Sequence, residues 1–297
     1  MKKLLLGIWV VLCVGCAEGN GAAPASPPVA WEIAEGVQSP ESVYLDEVSG
    51  FLFVSNVGDG GATGKDGDGY ISKLTPDGKM LEPKWVVGLN APKGLRSQGG
   101  TLWVAVIDRL VGIDIAEGAV RHTVEVEGAQ FLNDVAADEH GAVYVSDMLG
   151  NKIYRYKDGQ LSVLADGEEL ESPNGLLMHG NRLVVAAWGS GIQDDFSTKT
   201  PGRLFSLGSD GKGKELITPN PVGNFDGVEP FGDKGYLTSD WYAGTVYLVR
   251  TDGSTQLVLQ LPQGAADLAY LPKQRLLIVP QMAKNKVTAF RFPAGEE

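Results

Sequence analysis

The chain has 297 residues and a formal net charge of −12. So acidic a surface argues against nucleic acid as a partner, because gripping a phosphate backbone needs a basic face. The 40 glycines and 16 prolines suit a turn-rich β protein. The two cysteines, Cys13 and Cys16, both lie near the N-terminus, which excludes a disulfide framework or thiolate metal site in the rest of the chain.

Met1-Lys2-Lys3 is a short positive segment, and residues 4–12 form an apolar run too short for a membrane span. The run ends in Val14-Gly15-Cys16, which is similar to a bacterial lipoprotein cleavage box. This predicts a signal peptide over 1–15, Cys16 as the lipidated residue, and a flexible Gly/Ala/Ser/Pro-rich tether over 16–28. The mature protein is then an exported lipoprotein of the bacterial cell envelope, on the periplasmic or outer-surface side. Its membrane contact is the N-terminal lipid anchor. Cys13 stands where such boxes usually carry Leu or Val, so ordinary signal-peptidase cleavage is the alternative.

Residues 29–297 read as one all-β domain. Residues 29–34 alternate like a strand. From Glu41 onward a unit recurs: a lead residue opens an apolar run, a tight turn follows, and a second apolar run returns. Glu41-Ser42-Val43 leads to 51–55, Lys93-Gly94-Leu95 to 102–106, and Asn133-Asp134-Val135 to 143–146. Asn174-Gly175-Leu176 leads to 183–187, Asp226-Gly227-Val228 to 236–239, and Ala266-Asp267-Leu268 to 276–279. The lead residues are spaced by 52, 40, 41, 52 and 40 residues. A period near 40 with several short strands per unit predicts a β-propeller, here of six blades. The sixth unit is one strand short, so the strand near Trp31 is expected to complete it and close the ring. Asp77-Gly78, Asp158-Gly159, Asp210-Gly211 and Asp252-Gly253 fall where third-to-fourth-strand hairpins belong. Asn56, Asp147 and Asp240 recur after second strands and read as turn caps. Two units are longer, at 58–69 and 189–202, and both insertions are expected to overhang the mouth where the lead residues gather. Asp59, Asp66 and Asp68 in the first of them lack the spacing and terminal Glu of a calcium-binding loop.

The lead residues start the innermost strands, beside the central channel. Glu41, Asn133, Asn174 and Asp226 thus bring carboxylate, amide, amide and carboxylate toward one axis. Hard oxygen donors with two negative charges suit one divalent ion, Ca²⁺ first and Zn²⁺ or Mn²⁺ as alternatives. His122, His140 and His179 avoid the lead positions, which disfavours a zinc site. Taken singly, Asn-Asp, Asn-Gly and Asp-Gly are also ordinary turn dipeptides. Lys93 either holds a substrate carboxylate, shares a proton in the reaction, or offsets nearby acidic groups. Trp188, Trp241 and Tyr242 follow second strands on the same face. They are candidates to wall a pocket, with packing between blades as the other use of Trp241.

The sixfold layout resembles the gluconolactonase/regucalcin family of propeller lactonases over residues 30–292. The resemblance rests on Phe131-Leu132-Asn133-Asp134-Val135, Ser172-Pro173-Asn174-Gly175-Leu176 and Phe225-Asp226-Gly227-Val228. It implies Glu41, Asn174 and Asp226 as metal ligands and Asn133 as a ligand or substrate contact. It also implies a part in catalysis for Asp226. The sequence departs from the family in three places. Pro40 precedes Glu41, so the first ligand's register is open to a one-residue slip. Phe131 stands where the family often places an Arg for sugar lactones, which points to a less polar small-molecule substrate. Lys93 leads the second blade. The resulting expectation is a metal-dependent hydrolase of a lactone or related cyclic ester. The alternative is a non-enzymatic envelope propeller that binds a ligand or protein, since the fold serves both roles.

Overall fold

The computed structural model describes residues 26–295. Cys16, the leader and most of the tether lie outside the described residues. Within them the chain builds six four-stranded antiparallel sheets, plus a two-stranded hairpin in the loop 189–202. The first blade runs Pro40–Asp46, Phe51–Asn56, Gly69–Leu74 and Met80–Leu89, in order from hub to rim. The next four blades open with inner strands Pro92–Gln98, Leu132–Ala137, Pro173–His179 and Phe225–Pro230. The inner strand of the sixth, Ala269–Leu271, is shorter. Six radial sheets with neighbouring inner strands in contact make a six-bladed β-propeller.

Closure follows the expectation. Val29–Ile33 is the outermost strand of the sixth blade, pairing antiparallel with Lys286–Arg291 in the register Trp31↔Ala289 and Ile33↔Val287. At the hub the first and sixth blades are tied directly. The Asp267 amide donates to the Glu41 carbonyl at 2.9 Å, and the Val43 amide to the Asp267 carbonyl at 3.2 Å.

The second strands are buried on both faces, as in Phe51–Asn56 and Val143–Asp147. Their apolar runs are nearly continuous because a blade packs against a neighbour on either side. The core is accordingly a set of wedges between blades. Val43, Leu52, Val54 and Leu74 of the first blade meet Leu271, Ile278, Val287 and Ala289 of the sixth. Trp103, Ala105 and Leu110 meet Val135, Val143 and Val145 across the next-but-one seam. Rim strands, as at Ala119–Glu125, are mostly exposed.

One irregularity repeats at every long inner strand. Pairing with the second strand skips a position between Pro40 and Ser42, Pro92 and Leu95, Leu132 and Val135, Pro173 and Gly175, and Phe225 and Val228. Each skip is a β-bulge, and each contains a lead residue. A bulge frees a side chain from strand alternation and re-aims it. Here it turns Glu41, Lys93, Asn133, Asn174 and Asp226 toward the channel. Pro40 occupies the same register as Pro92 and Pro173, so Glu41 has not slipped.

Serines on the second strands satisfy the amides that the bulges release. Ser146 Oγ accepts from the Asp134 amide at 2.9 Å and donates to the Asn174 carbonyl of the next blade at 2.7 Å. Ser239 Oγ likewise accepts from the Gly227 amide at 2.9 Å and donates to the Ala266 carbonyl at 2.8 Å.

Candidate metal centre

Glu41, Lys93, Asn133, Asn174 and Asp226 line one cavity of about 320 Å³ at the mouth. All five are buried. Asn174 is held by its neighbour blade: its Nδ2 donates to Asp226 Oδ1 at 2.9 Å and to the Phe225 carbonyl at 3.1 Å. With its N–H bonds spent on the protein, the amide oxygen is left for another partner. Asn174 Oδ1 and Glu41 Oε2 are both buried, and among the described residues neither accepts a hydrogen bond. A buried polar atom left unpaired costs about 1–3 kcal/mol. A hard cation satisfies two such oxygens at once, so the residues fit an oxygen-liganded divalent ion.

The electrostatics agree. Burial, then the Asp226 charge, pushes the Glu41 carboxyl well above its ordinary value, and the Lys93 charge only partly offsets this. Burial, followed by the Asp267 charge, does the same to Asp226, against the Asn174 hydrogen bond. Two carboxylates that resist ionising together are stabilised as anions by a dication between them. Among the described residues no three His, Cys, Asp or Glu side chains group as a metal site. The cluster has two carboxylates and depends on amide oxygens to complete it, a donor set that suits Ca²⁺ better than Zn²⁺. The histidines are elsewhere: His122 stacks on Trp103, His179 Nδ1 lies 2.8 Å from the Tyr236 hydroxyl, and His140 Nε2 lies 3.7 Å from Glu139 Oε1 at the surface.

Lys93 is 1% exposed. Its ammonium donates to the Ala91 carbonyl at 3.0 Å and sits 4.5 Å from the centre of the Phe131 ring. Burial draws it down to about 8, against the Glu41 charge. No salt bridge to it exists among the described residues, so the ion-pair reading holds only as a longer-range attraction.

The walls are apolar. Phe131 and Phe196 have ring centres 5.9 Å apart, and Trp188 and Trp241 6.0 Å. Both tryptophans line the cavity, Trp241 also packing against the cluster of Phe131, Met148 and Trp188, while Tyr242 lies more open and off it. Both long loops overhang as expected, contributing Ala62 from one and Asp195 and Phe196 from the other. Asp66 and Asp68 are spent on turns, Asp68 accepting from the Asp59 amide at 2.6 Å and Asp66 from the Asp68 amide at 3.2 Å, while the Asp59 carboxylate accepts from the Gln38 side-chain amide. Asp147 caps the mouth loop at 130–131, accepting from the Gln130 and Phe131 amides at 3.0 and 2.8 Å.

Sequence reading missed Val57, Met148 and Met282 as lining residues. The signal for them was present. Val57, Ile107, Met148, Trp188, Trp241 and Met282 each stand one place after a second strand. That makes a ring of apolar residues above the ring of lead residues, and picking out its two tryptophans alone hid it. Phe196 had no such signal, since it comes from the insertion.

No protein-family model matches the sequence, and no curated protein sequence matches it. Solved structures do. A gluconolactonase from Xanthomonas campestris is similar with a TM-score of 0.63 and 18% identity, over 90% of this chain and 88% of that one. A virginiamycin B lyase from Staphylococcus aureus is similar with a TM-score of 0.61 and 11% identity, over 89% and 99%. A streptogramin B lyase follows at 0.59 and 14%, over 88% and 96%. At these identities the likeness speaks for the fold, a six-bladed propeller.

Proposed function

We propose that this propeller is a divalent-cation-dependent hydrolase of a lactone or related cyclic ester, of the gluconolactonase/regucalcin kind. The observation that carries the reading is the pair of buried acceptors, Glu41 Oε2 and Asn174 Oδ1, that no donor reaches among the described residues, beside Asp226. Glu41, Asn174 and Asp226 would hold the ion, with Asn133 completing the set or meeting the substrate. When bound, a hard dication polarises the ester carbonyl and offsets negative charge growing on its oxygen. Asp226, fixed at Oδ1 by the Asn174 amide, takes the proton of the attacking water at its other oxygen. Asn133 and Lys93 supply N–H donors to ligand oxygens, and the aromatic walls keep bulk water out.

The lyase neighbours offer a different chemistry. A histidine-to-alanine form of the virginiamycin B lyase is catalytically inactive. His122, His140 and His179 do not line this cavity, which favours hydrolysis. The leader sequence supports placing the protein on the cell envelope through a lipid on Cys16.

The test is a titration of Ca²⁺, Mn²⁺ and Zn²⁺ against melting temperature, with lactone hydrolysis assayed alongside. An ion at a hundred times its Kd should stabilise by about 2.7 kcal/mol. Asp226→Ala should remove both the shift and the activity while the fold persists. Full activity in that variant, or a flat response to every ion, would sink the proposal.

A further inference from the structure

The mouth holds unspent donors as well as orphan acceptors. An ammonium has three N–H bonds. Among the described residues that of Lys93 uses one, on the Ala91 carbonyl. Asn133 Nδ2 has only the Met148 sulfur at 3.9 Å, a weak acceptor. Both side chains line the cavity. A buried ammonium without an ion-pair partner is costly, and an anionic oxygen entering the mouth offsets that cost.

What surrounds these donors is not built for a sugar. The cavity wall is apolar in five of the six blades, at Val57, Met148, Trp188, Trp241 and Met282, and in the second blade the equivalent Ile107 packs behind it on Val57 and Ala91. A polyhydroxylated ligand would lose hydration against such walls, and the polar partners that the cavity offers cluster at its floor and at Gln263 and Asp195. The roof is Phe196. Its φ of 63° is unusual for a bulky side chain. The conformation is held by the Trp188 indole, whose Nε1 donates to the Phe196 carbonyl at 2.9 Å, and it keeps the ring on Phe131. Asp195, the acid beside it at the rim, accepts at Oδ1 from the Ser197 amide and hydroxyl at 3.0 and 2.6 Å.

We propose that this mouth selects an aryl- or alkyl-bearing carboxylate and the cyclic ester that yields it. The apolar body lies between the Phe131–Phe196 and Trp188–Trp241 pairs, and the oxygen end meets Lys93 and Asn133. The inference rests on the hydrolase reading for the link between acid and ester. Water's oxygen bonds to the carbonyl carbon, the ring C–O bond breaks, the alkoxide takes a proton, and the acid product ionises. Lys93 is then a substrate-positioning residue, and Phe196 sets specificity.

Calorimetric titration of the full chain with 3-phenylpropionate and with gluconate, each with and without Ca²⁺, tests this without requiring turnover. The arylalkyl acid should bind at least about tenfold tighter than gluconate. Lys93→Met should weaken it by about tenfold or more, and Lys93→Arg should recover part of the loss. Phe196→Ala, in a surface loop where the blades do not depend on it, should weaken 3-phenylpropionate and leave gluconate unchanged. Gluconate binding as tightly as the aryl acid overturns the inference. So does an unchanged affinity in Lys93→Met or in Phe196→Ala. Tight aryl-acid binding beside a flat response to metals would instead keep this inference and remove the hydrolase reading.

Discussion

Gly175 follows Asn174 inside an inner strand, and a Cβ placed on it would lie 1.9 Å from the Asp226 carbonyl oxygen of the next blade. No rotamer relieves that clash, because the obstacle is backbone. Gly227 is constrained in the same way, with the Leu268 amide nitrogen of the next blade 2.5 Å from its would-be Cβ. The glycine after the lead residue is therefore what lets neighbouring inner strands approach until Asn174 and Asp226 share a hydrogen bond. Gly175→Ala is expected to cost about 3 kcal/mol, at the upper end of overpacking. It should be read as a lower urea midpoint at unchanged slope. The same variant should lose affinity for the cation, since strain at this point drives two of the proposed ligands apart. An unaltered midpoint would mean the hub is more open than the close approach requires. As residues, Asn174-Gly175 and Asp226-Gly227 were ambiguous in the sequence, because the same dipeptides make ordinary turns. Their placement within strands is decided by the blade next door, which no local pattern records.

Elements were more legible than residues. The spacing of lead residues reported six blades because each blade must bury the same two faces against the same kind of neighbour. The unpaired strand near Trp31 followed from counting strands in the last unit. The bulges were not legible, because a bulge is a mismatch between two strands and neither strand shows it alone. Ser146 and Ser239 mark them only in hindsight, each directly before a capping Asp. The closing strand has a measurable consequence. Trp31 and Ile33 pack on the cluster that joins the first and sixth blades. Deleting residues 29–36 uncovers that cluster and leaves Lys286–Arg291 as a bare edge. The melting temperature should fall by on the order of 10 °C, given that about 1 kcal/mol moves a domain of this size by a few degrees. A truncated protein that melts unchanged would mean the ring closes without its N-terminal strand.

Across the whole molecule, the hub holds several acids whose carboxyls burial raises above their ordinary values. Burial pushes Glu41, Asp226 and Asp267 well above their ordinary values, raises Glu229 less far against the Arg96 charge, and raises Asp134 to about 7. Arg96, whose Nη1 donates to Glu229 Oε1 at 3.1 Å, and Lys93 answer only part of this charge. In the unfolded chain each of these acids releases its proton near pH 4. Between that point and its folded value, the folded state binds the proton and the unfolded state does not. Stability therefore falls as pH rises through this window, from about 4 to 7 for Asp134 and upward from the ordinary carboxylate value for the others. Asp46 and Asp138 have the opposite sign. Burial would raise them too, but hydrogen bonds from Ser49 and Ser97, and from Ala142 and Tyr144, bring them below the ordinary value, so their contribution is lost only under more acidic conditions. For the chelator-treated protein the melting temperature should decline from pH 5 to pH 8. Saturating Ca²⁺ favours the ionised carboxylates, so it should raise the melting temperature more at pH 8 than at pH 5. A metal-free melting temperature that holds steady or climbs over this range would show that the channel acids are already compensated by the protein, and the case for a cation at the hub would fall with it.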